Sequence, residues 1–88
     1  MNGLLSMFIL FFTSGCHLCD LAEKQIAQFN TSCLTPVFYR KVEISEDDHL
    51  VRLYGSRIPV LKHPDFDQTI DWPFDETDLE NLLKQIKL

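Results

Sequence analysis

The chain has 88 residues, 45% of them hydrophobic and 24% charged, with a net charge of −5 when histidine is counted neutral. That length allows a single domain over residues 1–88, with a modest core that buries roughly 60% of the unfolded surface or slightly more. The composition excludes a mainly disordered chain. The acidic balance argues against nucleic acid, whose phosphates need a cationic surface.

In chain order, residues 1–6 are expected to form a loosely ordered extension. Leu4 to Phe12 is almost unbroken apolar sequence, followed by Thr13-Ser14-Gly15-Cys16. No Lys or Arg precedes the run, and it is too short to span a bilayer. It therefore reads as a buried strand over Met7–Phe12 rather than a signal peptide, and no membrane contact is expected. From His17 to Phe29 the period becomes helical. Leu18, Leu21, Ala22, Ile26 and Phe29 recur at steps of three and four, with Asp20 and Glu23 near the start, where the helix dipole favours acids. Asn30-Thr31-Ser32 is expected to end this helix.

Val37–Ile44 reads as a second strand from its β-branched and aromatic content, with Pro36 at its entry. Ser45 is the expected N-cap of a short helix carrying Leu50, Val51, Leu53 and Tyr54, stopped by Gly55. Arg57-Ile58-Pro59-Val60-Leu61 enters a third strand, a turn follows near His63-Pro64-Asp65, and Thr69–Trp72 is a short fourth strand. Asp75 or Thr77 caps a final helix with Leu79, Leu82, Leu83 and Ile86 on one face. The order β-α-β-α-β-β-α implies an α/β domain. The first two strands should be parallel through a right-handed crossover and the last two an antiparallel hairpin, giving a mixed four-stranded sheet flanked by helices.

The cysteines are Cys16, Cys19 and Cys33. An odd count does not fit a disulfide-stapled secreted scaffold. A close pair with one distant thiol fits a reducing compartment, so a cytoplasmic location is expected. Cys16-His17-Leu18-Cys19 falls between an apolar strand and the first turn of a helix, where unpaired backbone N–H groups carry partial positive charge and favour a thiolate. A free thiol with a pKa of about 8.5 is only a few per cent thiolate at pH 7, and lowering it to about 7 makes half of it reactive. That change corresponds to about 2 kcal/mol of preference for the anion. Residues three apart lie on neighbouring helical turns. Cys16 is therefore expected at the exposed entrance as nucleophile, with Cys19 beneath it as the resolving thiol. His17 has two readings: its charged form stabilises the Cys16 thiolate, or it is an exposed loop histidine with little effect.

The strand, the Cys16–Cys19 pair, the helix and the later Ile58-Pro59-Val60 together resemble the thioredoxin superfamily. The whole chain resembles the small glutaredoxin-like proteins of that superfamily. The matching pieces are Phe11-Phe12-Thr13-Ser14-Gly15-Cys16-His17-Leu18-Cys19-Asp20, Tyr54-Gly55-Ser56-Arg57-Ile58-Pro59-Val60-Leu61 and Trp72-Pro73-Phe74-Asp75. The resemblance implies a thioredoxin fold with a cis Pro59 whose loop faces the cysteines, and an Ile58 backbone that hydrogen-bonds an extended substrate. It implies a thiol–disulfide oxidoreductase serving electron transport and cell redox homeostasis. Its partner would be a disulfide-containing protein or a low-molecular-weight thiol, glutathione among them, with no bound cofactor and a monomeric chain. Classical glutaredoxins have Cys-Pro-Tyr-Cys where this chain has His17-Leu18 between the cysteines. They have a Lys where Thr13-Ser14-Gly15 stands, and a Gly-Gly pair before a glutathione-holding Asp where Trp72-Pro73-Phe74-Asp75 stands. Asp75 reads first as a helix cap.

Among the remaining residues, Arg57 has two readings: a contact for an acidic or glutathione-like substrate beside Pro59, or a solvated charge at the strand edge. Cys33 reads as a partly buried structural thiol. His49 and His63 read as surface residues, and no metal site is expected. Trp72, Phe74 and Tyr54 read as core or groove packing. The competing function is a non-catalytic redox-sensing or protein-binding adaptor on the same fold.

Overall fold

A computed structural model describes residues 7–32 and 36–86. Residues 1–6 and Cys33 lie outside the described residues, and with them the expectations of a loose extension and a structural thiol. Seven elements follow in the expected order: β1 (Met7–Phe12), α1 (His17–Ser32), β2 (Phe38–Glu43), α2 (Asp48–Tyr54), β3 (Val60–Lys62), β4 (Thr69–Asp71) and α3 (Glu76–Ile86). The sheet order is β2-β1-β3-β4. β1 pairs in parallel with β2, from Met7↔Phe38 to Phe12↔Glu43. It pairs antiparallel with β3, from Ile9↔Lys62 to Phe11↔Val60, and β3 pairs antiparallel with β4.

β1 is apolar along its length because it is covered on both faces. Side chains alternate across a strand, so Phe8 and Leu10 enter one core while Phe11 enters another. The larger core joins Phe8, Leu10 and Leu61 of the sheet to Ala22, Ile26 and Phe29 of α1 and Leu79, Leu82 and Ile86 of α3. On the opposite face α2 supplies Tyr54, which packs with Phe11, Ile44 and Val60. Its ring stacks on that of Phe11 with centroids 4.2 Å apart. Fully burying one such apolar side chain contributes about 1.5–3 kcal/mol, so the two cores set the sheet between its helices.

The boundaries depart from the sequence reading in ways that have physical causes. α1 continues to Ser32 rather than ending after Phe29. Thr31 and Ser32 turn their hydroxyls back onto the Gln28 and Phe29 carbonyls. Asn30 then pins the entry to β2: its amide donates to the Val37 carbonyl at 2.9 Å and accepts from the Val37 N–H at 2.8 Å. The N-cap of α2 is Asp47, not Ser45. The Asp47 carboxylate accepts from the Leu50 N–H at 3.1 Å, whereas the Ser45 N–H is directed at Glu43. Gly55 does close α2, in a right-handed conformation, and a Cβ there would meet the Val51 carbonyl oxygen at 2.5 Å. β3 begins only at Val60, and β4 ends at Asp71, one residue before Trp72.

His63 is the main correction to the sequence reading of burial. It is 1% exposed rather than at the surface. Its ring packs edge-on to Phe8 and Phe66, and Nδ1 accepts from the Asp65 N–H at 3.0 Å. His49 is exposed as expected, and Tyr54 and Phe74 are buried with Trp72 half-buried. Among the described residues no helix is long and apolar enough to cross a membrane.

Candidate active site

Sheet register collects the chemistry-bearing loops at one end. β1 and β2 run parallel and end together at Phe12↔Glu43. β3 starts beside the end of β1 at Phe11↔Val60, and β4 ends opposite Val60 at Asp71. The loop carrying Cys16, the loop after Glu43, the Ile58-Pro59 segment and Trp72-Pro73 therefore all adjoin the sheet at the same end.

The turn out of β1 is made by Gly15, whose φ of 77° lies in the left-handed region. The Cys16 N–H donates back to the Thr13 carbonyl at 3.3 Å. Cys16 then takes the N-cap position of α1. Its carbonyl accepts the Asp20 N–H at 3.3 Å, and its Sγ accepts the Cys19 N–H at 3.1 Å. That second contact is the one a capping Ser or Asp normally makes, so a sulfur stands where unpaired helix amides converge. Cys16 and Cys19 are joined as a disulfide, with Cα atoms 5.2 Å apart. Cys16 is half-buried, whereas Cys19 is only 3% exposed. The first cysteine of the pair is thus partly open to solvent and the second is enclosed.

His17 and Leu18, between the cysteines, are both exposed, Leu18 by 46%. Ile58-Pro59 is a cis peptide, as the resemblance implies, and so is Trp72-Pro73. Pro59 is buried, and its carbonyl accepts the Trp72 N–H at 3.0 Å, which ties the two proline segments together. The Ile58 N–H donates to the Tyr54 carbonyl at 3.0 Å, so this donor is already committed within the protein.

Arg57 is likewise committed. Its Nε and Nη2 donate to the two Asp71 carboxylate oxygens, each at 3.0 Å, and Nη1 donates to the Leu53 carbonyl at 3.3 Å. Nη2 also reaches Thr69 Oγ1 at 3.3 Å, and the guanidinium lies 5.3 Å from the Tyr54 ring centroid. The Asp71 partner pushes the guanidinium pKa upward. Asp75 caps α3: its carboxylate accepts the Asp78 N–H, and the Asp78 carboxylate accepts the Asp75 N–H, both at 3.0 Å.

Sequence reasoning missed Glu43. Its Oε2 accepts the Ser14 N–H at 2.8 Å and the Ser14 hydroxyl at 2.9 Å, and its Oε1 accepts the Ser45 N–H at 2.8 Å. The Ser45 amide first, and then Ser14, hold the carboxyl at about 2. No local pattern signals a contact between residues 29 positions apart. Glu23 joins α1 to the edge strand, accepting from the Tyr39 hydroxyl at 2.8 Å and pairing with Lys41 at 3.0 Å. Burial, and then Glu23 itself, raise the Tyr39 hydroxyl pKa.

The solved structures to which this chain is similar share a thioredoxin-like fold. The structure described as Northeast Structural Genomics target protein XcR50 from X. campestris is 36% identical, covers 89% of this chain and 96% of its own, and superposes with a TM-score of 0.72. Protein Ne2328 from Nitrosomonas europaea is 22% identical over 93% of this chain and 98% of its own, with a TM-score of 0.68. Thioredoxin-2, described as a component of malaria parasite protein secretion machinery, is 18% identical over 90% of this chain and 81% of its own, with a TM-score of 0.62. A family model, the glutaredoxin-like domain (DUF836), matches residues 7–84. The chain belongs to that glutaredoxin-like family. A search of the curated proteins found no match.

Proposed function

We propose that the chain is a thiol–disulfide oxidoreductase in which Cys16 is the nucleophile and Cys19 the resolving thiol. The observation that carries this reading is the asymmetry of the pair: Cys16 is half-buried at the N-cap with an amide on its sulfur, and Cys19 is buried beneath it. In the reduced protein the Cys16 thiolate attacks one sulfur of a substrate disulfide. A mixed disulfide forms and the other substrate sulfur leaves as a thiolate. The Cys19 thiolate then attacks Cys16 Sγ, releases the second substrate thiol and leaves the Cys16–Cys19 disulfide. Two electrons and two protons from a low-molecular-weight thiol, glutathione among them, or from a dithiol reductase return the pair to the reduced state.

The remaining site residues support this chemistry. His17 is exposed at the first position of α1, so any part it plays rests on its place beside Cys16 alone. Ile58 and Pro59 frame the substrate path. With the Ile58 N–H committed to Tyr54, a substrate strand would be met by its carbonyl. Arg57 acts as the arm that fixes this segment, because its guanidinium is engaged by Asp71 and the Leu53 carbonyl. Substitution of Cys19 with Ser tests the scheme. Cys19→Ser should accumulate a covalent complex between Cys16 and a disulfide-containing protein, and Cys16→Ser should form none. Absence of any covalent complex, together with a stable non-covalent partner, would mark the adaptor function instead.

A further inference from the structure

The turn that presents Cys16 has few tethers of its own. Nothing lies within 4 Å of the place a Gly15 Cβ would occupy. The backbone bond across the turn, from the Cys16 N–H to the Thr13 carbonyl, is 3.3 Å long. The contacts from Glu43 to the Ser14 N–H and hydroxyl, at 2.8 and 2.9 Å, are shorter. Glu43 is itself anchored, because its other oxygen holds the Ser45 N–H at 2.8 Å, at the start of the loop into α2. One carboxylate thus spans the ends of two parallel strands and holds the residue two positions before Cys16.

We infer that Glu43 is a positioning residue of the redox centre, which keeps the Ser14-Gly15 turn in place when the Cys16–Cys19 bond is open and so favours re-formation of that bond. The inference rests on the oxidoreductase reading. In the oxidised protein the disulfide itself holds Cys16 against α1. In the dithiol that covalent tether is gone, and Glu43 takes over. A turn already ordered presents Cys16 to Cys19 at high effective concentration, so less order must be regained on oxidation. The carboxylate is ionised at neutral pH, as an ordinary glutamate is, and its donors lower its pKa further.

The test is the equilibrium between the protein disulfide and dithiothreitol. Two electrons and two protons pass from the dithiothreitol thiols to the Cys16–Cys19 bond, and dithiothreitol closes to its cyclic disulfide. Glu43→Ala should raise the equilibrium constant for reduction of the protein by about tenfold: the contact is lost from both redox forms, and what remains is the order of roughly one backbone residue that the freed dithiol turn must regain on oxidation. For a two-electron couple that is about 30 mV. Glu43→Asp separates positioning from charge, because it keeps the charge on a stem too short to reach both loops. It should behave like Glu43→Ala. A Glu43→Asp constant equal to the unsubstituted protein's, or no shift in either variant, would overturn the inference. A role limited to fold stability would lower the urea midpoint and leave the dithiothreitol constant unchanged, which also overturns it. If neither Glu43 variant folds, Ser14→Ala removes only the hydroxyl contact. It should give a smaller shift in the same direction, and an unchanged constant would count against the inference. Failure of the unsubstituted protein to exchange with dithiothreitol would instead overturn the oxidoreductase reading, and this inference with it.

Discussion

Arg57 is where the two readings of the sequence separate most sharply, as substrate contact or as structural arm. Its pair with Asp71 is two-pronged, but the side chains are 38% and 42% exposed. Solvent screening therefore limits the pair to about 0.5–1 kcal/mol. The bonds to the Leu53 carbonyl and to Thr69, both 3.3 Å, are long, and the guanidinium lies over the Tyr54 ring at 5.3 Å from its centroid, in a partly exposed setting. Together these add about 0.5–1 kcal/mol. Arg57→Ala should then destabilise the domain by about 1.5 kcal/mol, lowering Tm by about 6–12 °C for a chain of this size. Arg57→Lys should recover less than half, because an ammonium cannot form the two-pronged contact. Urea unfolding gives the stability, and steady-state reduction of one acidic and one uncharged small disulfide gives the function. The structural role predicts equal KM changes for both substrates. A stability loss near zero, with KM rising only for the acidic disulfide, would refute the argument and restore the substrate role.

Three further expectations follow from local geometry. Asp75→Ala should cost about 1 kcal/mol in urea unfolding by uncapping α3, Asp75→Asn should cost far less, and neither should slow reduction of glutathione disulfide. Gly15→Ala should cost about 1–2 kcal/mol through backbone conformation alone, with Gly15→Asn milder, because the site is open but left-handed. Glu43 should show in the acid limb of stability. Its folded value of about 2 lies below the ordinary 4.5, so its contribution is complete above 4.5 and lost as pH falls through 2. The difference in urea midpoint between the unsubstituted protein and Glu43→Gln should be constant above pH 4.5 and close as pH approaches 2.

The architecture was legible because its signals are local. MFILFF is continuous apolar sequence because β1 is sandwiched between two cores. The α1 and α3 stripes keep helical spacing because each helix packs one face on the sheet. The pair of cysteines at a strand-to-helix turn pointed directly to the N-cap geometry found. Tertiary pairings were not legible. Ser45 looked like a cap, but its N–H belongs to Glu43, and Asp47 two residues on caps α2. His63 stood beside Pro64-Asp65 and read as a surface turn, yet the ring is enclosed by Phe8 and Phe66. The Arg57–Asp71 pair spans 14 positions and crosses from the end of α2 to β4, a relation that exists only once β3 and β4 are registered.

The most direct measurement is the order of alkylation in the reduced protein, made on a Cys33→Ser background so that two thiols remain. With iodoacetamide at pH 7, Cys16 should react about tenfold faster than an unperturbed thiol, and Cys19 should lag behind it. Labelling of Cys19 first, or equal labelling of both at the slow rate of a free cysteine, would contradict the assignment of Cys16 as the attacking sulfur.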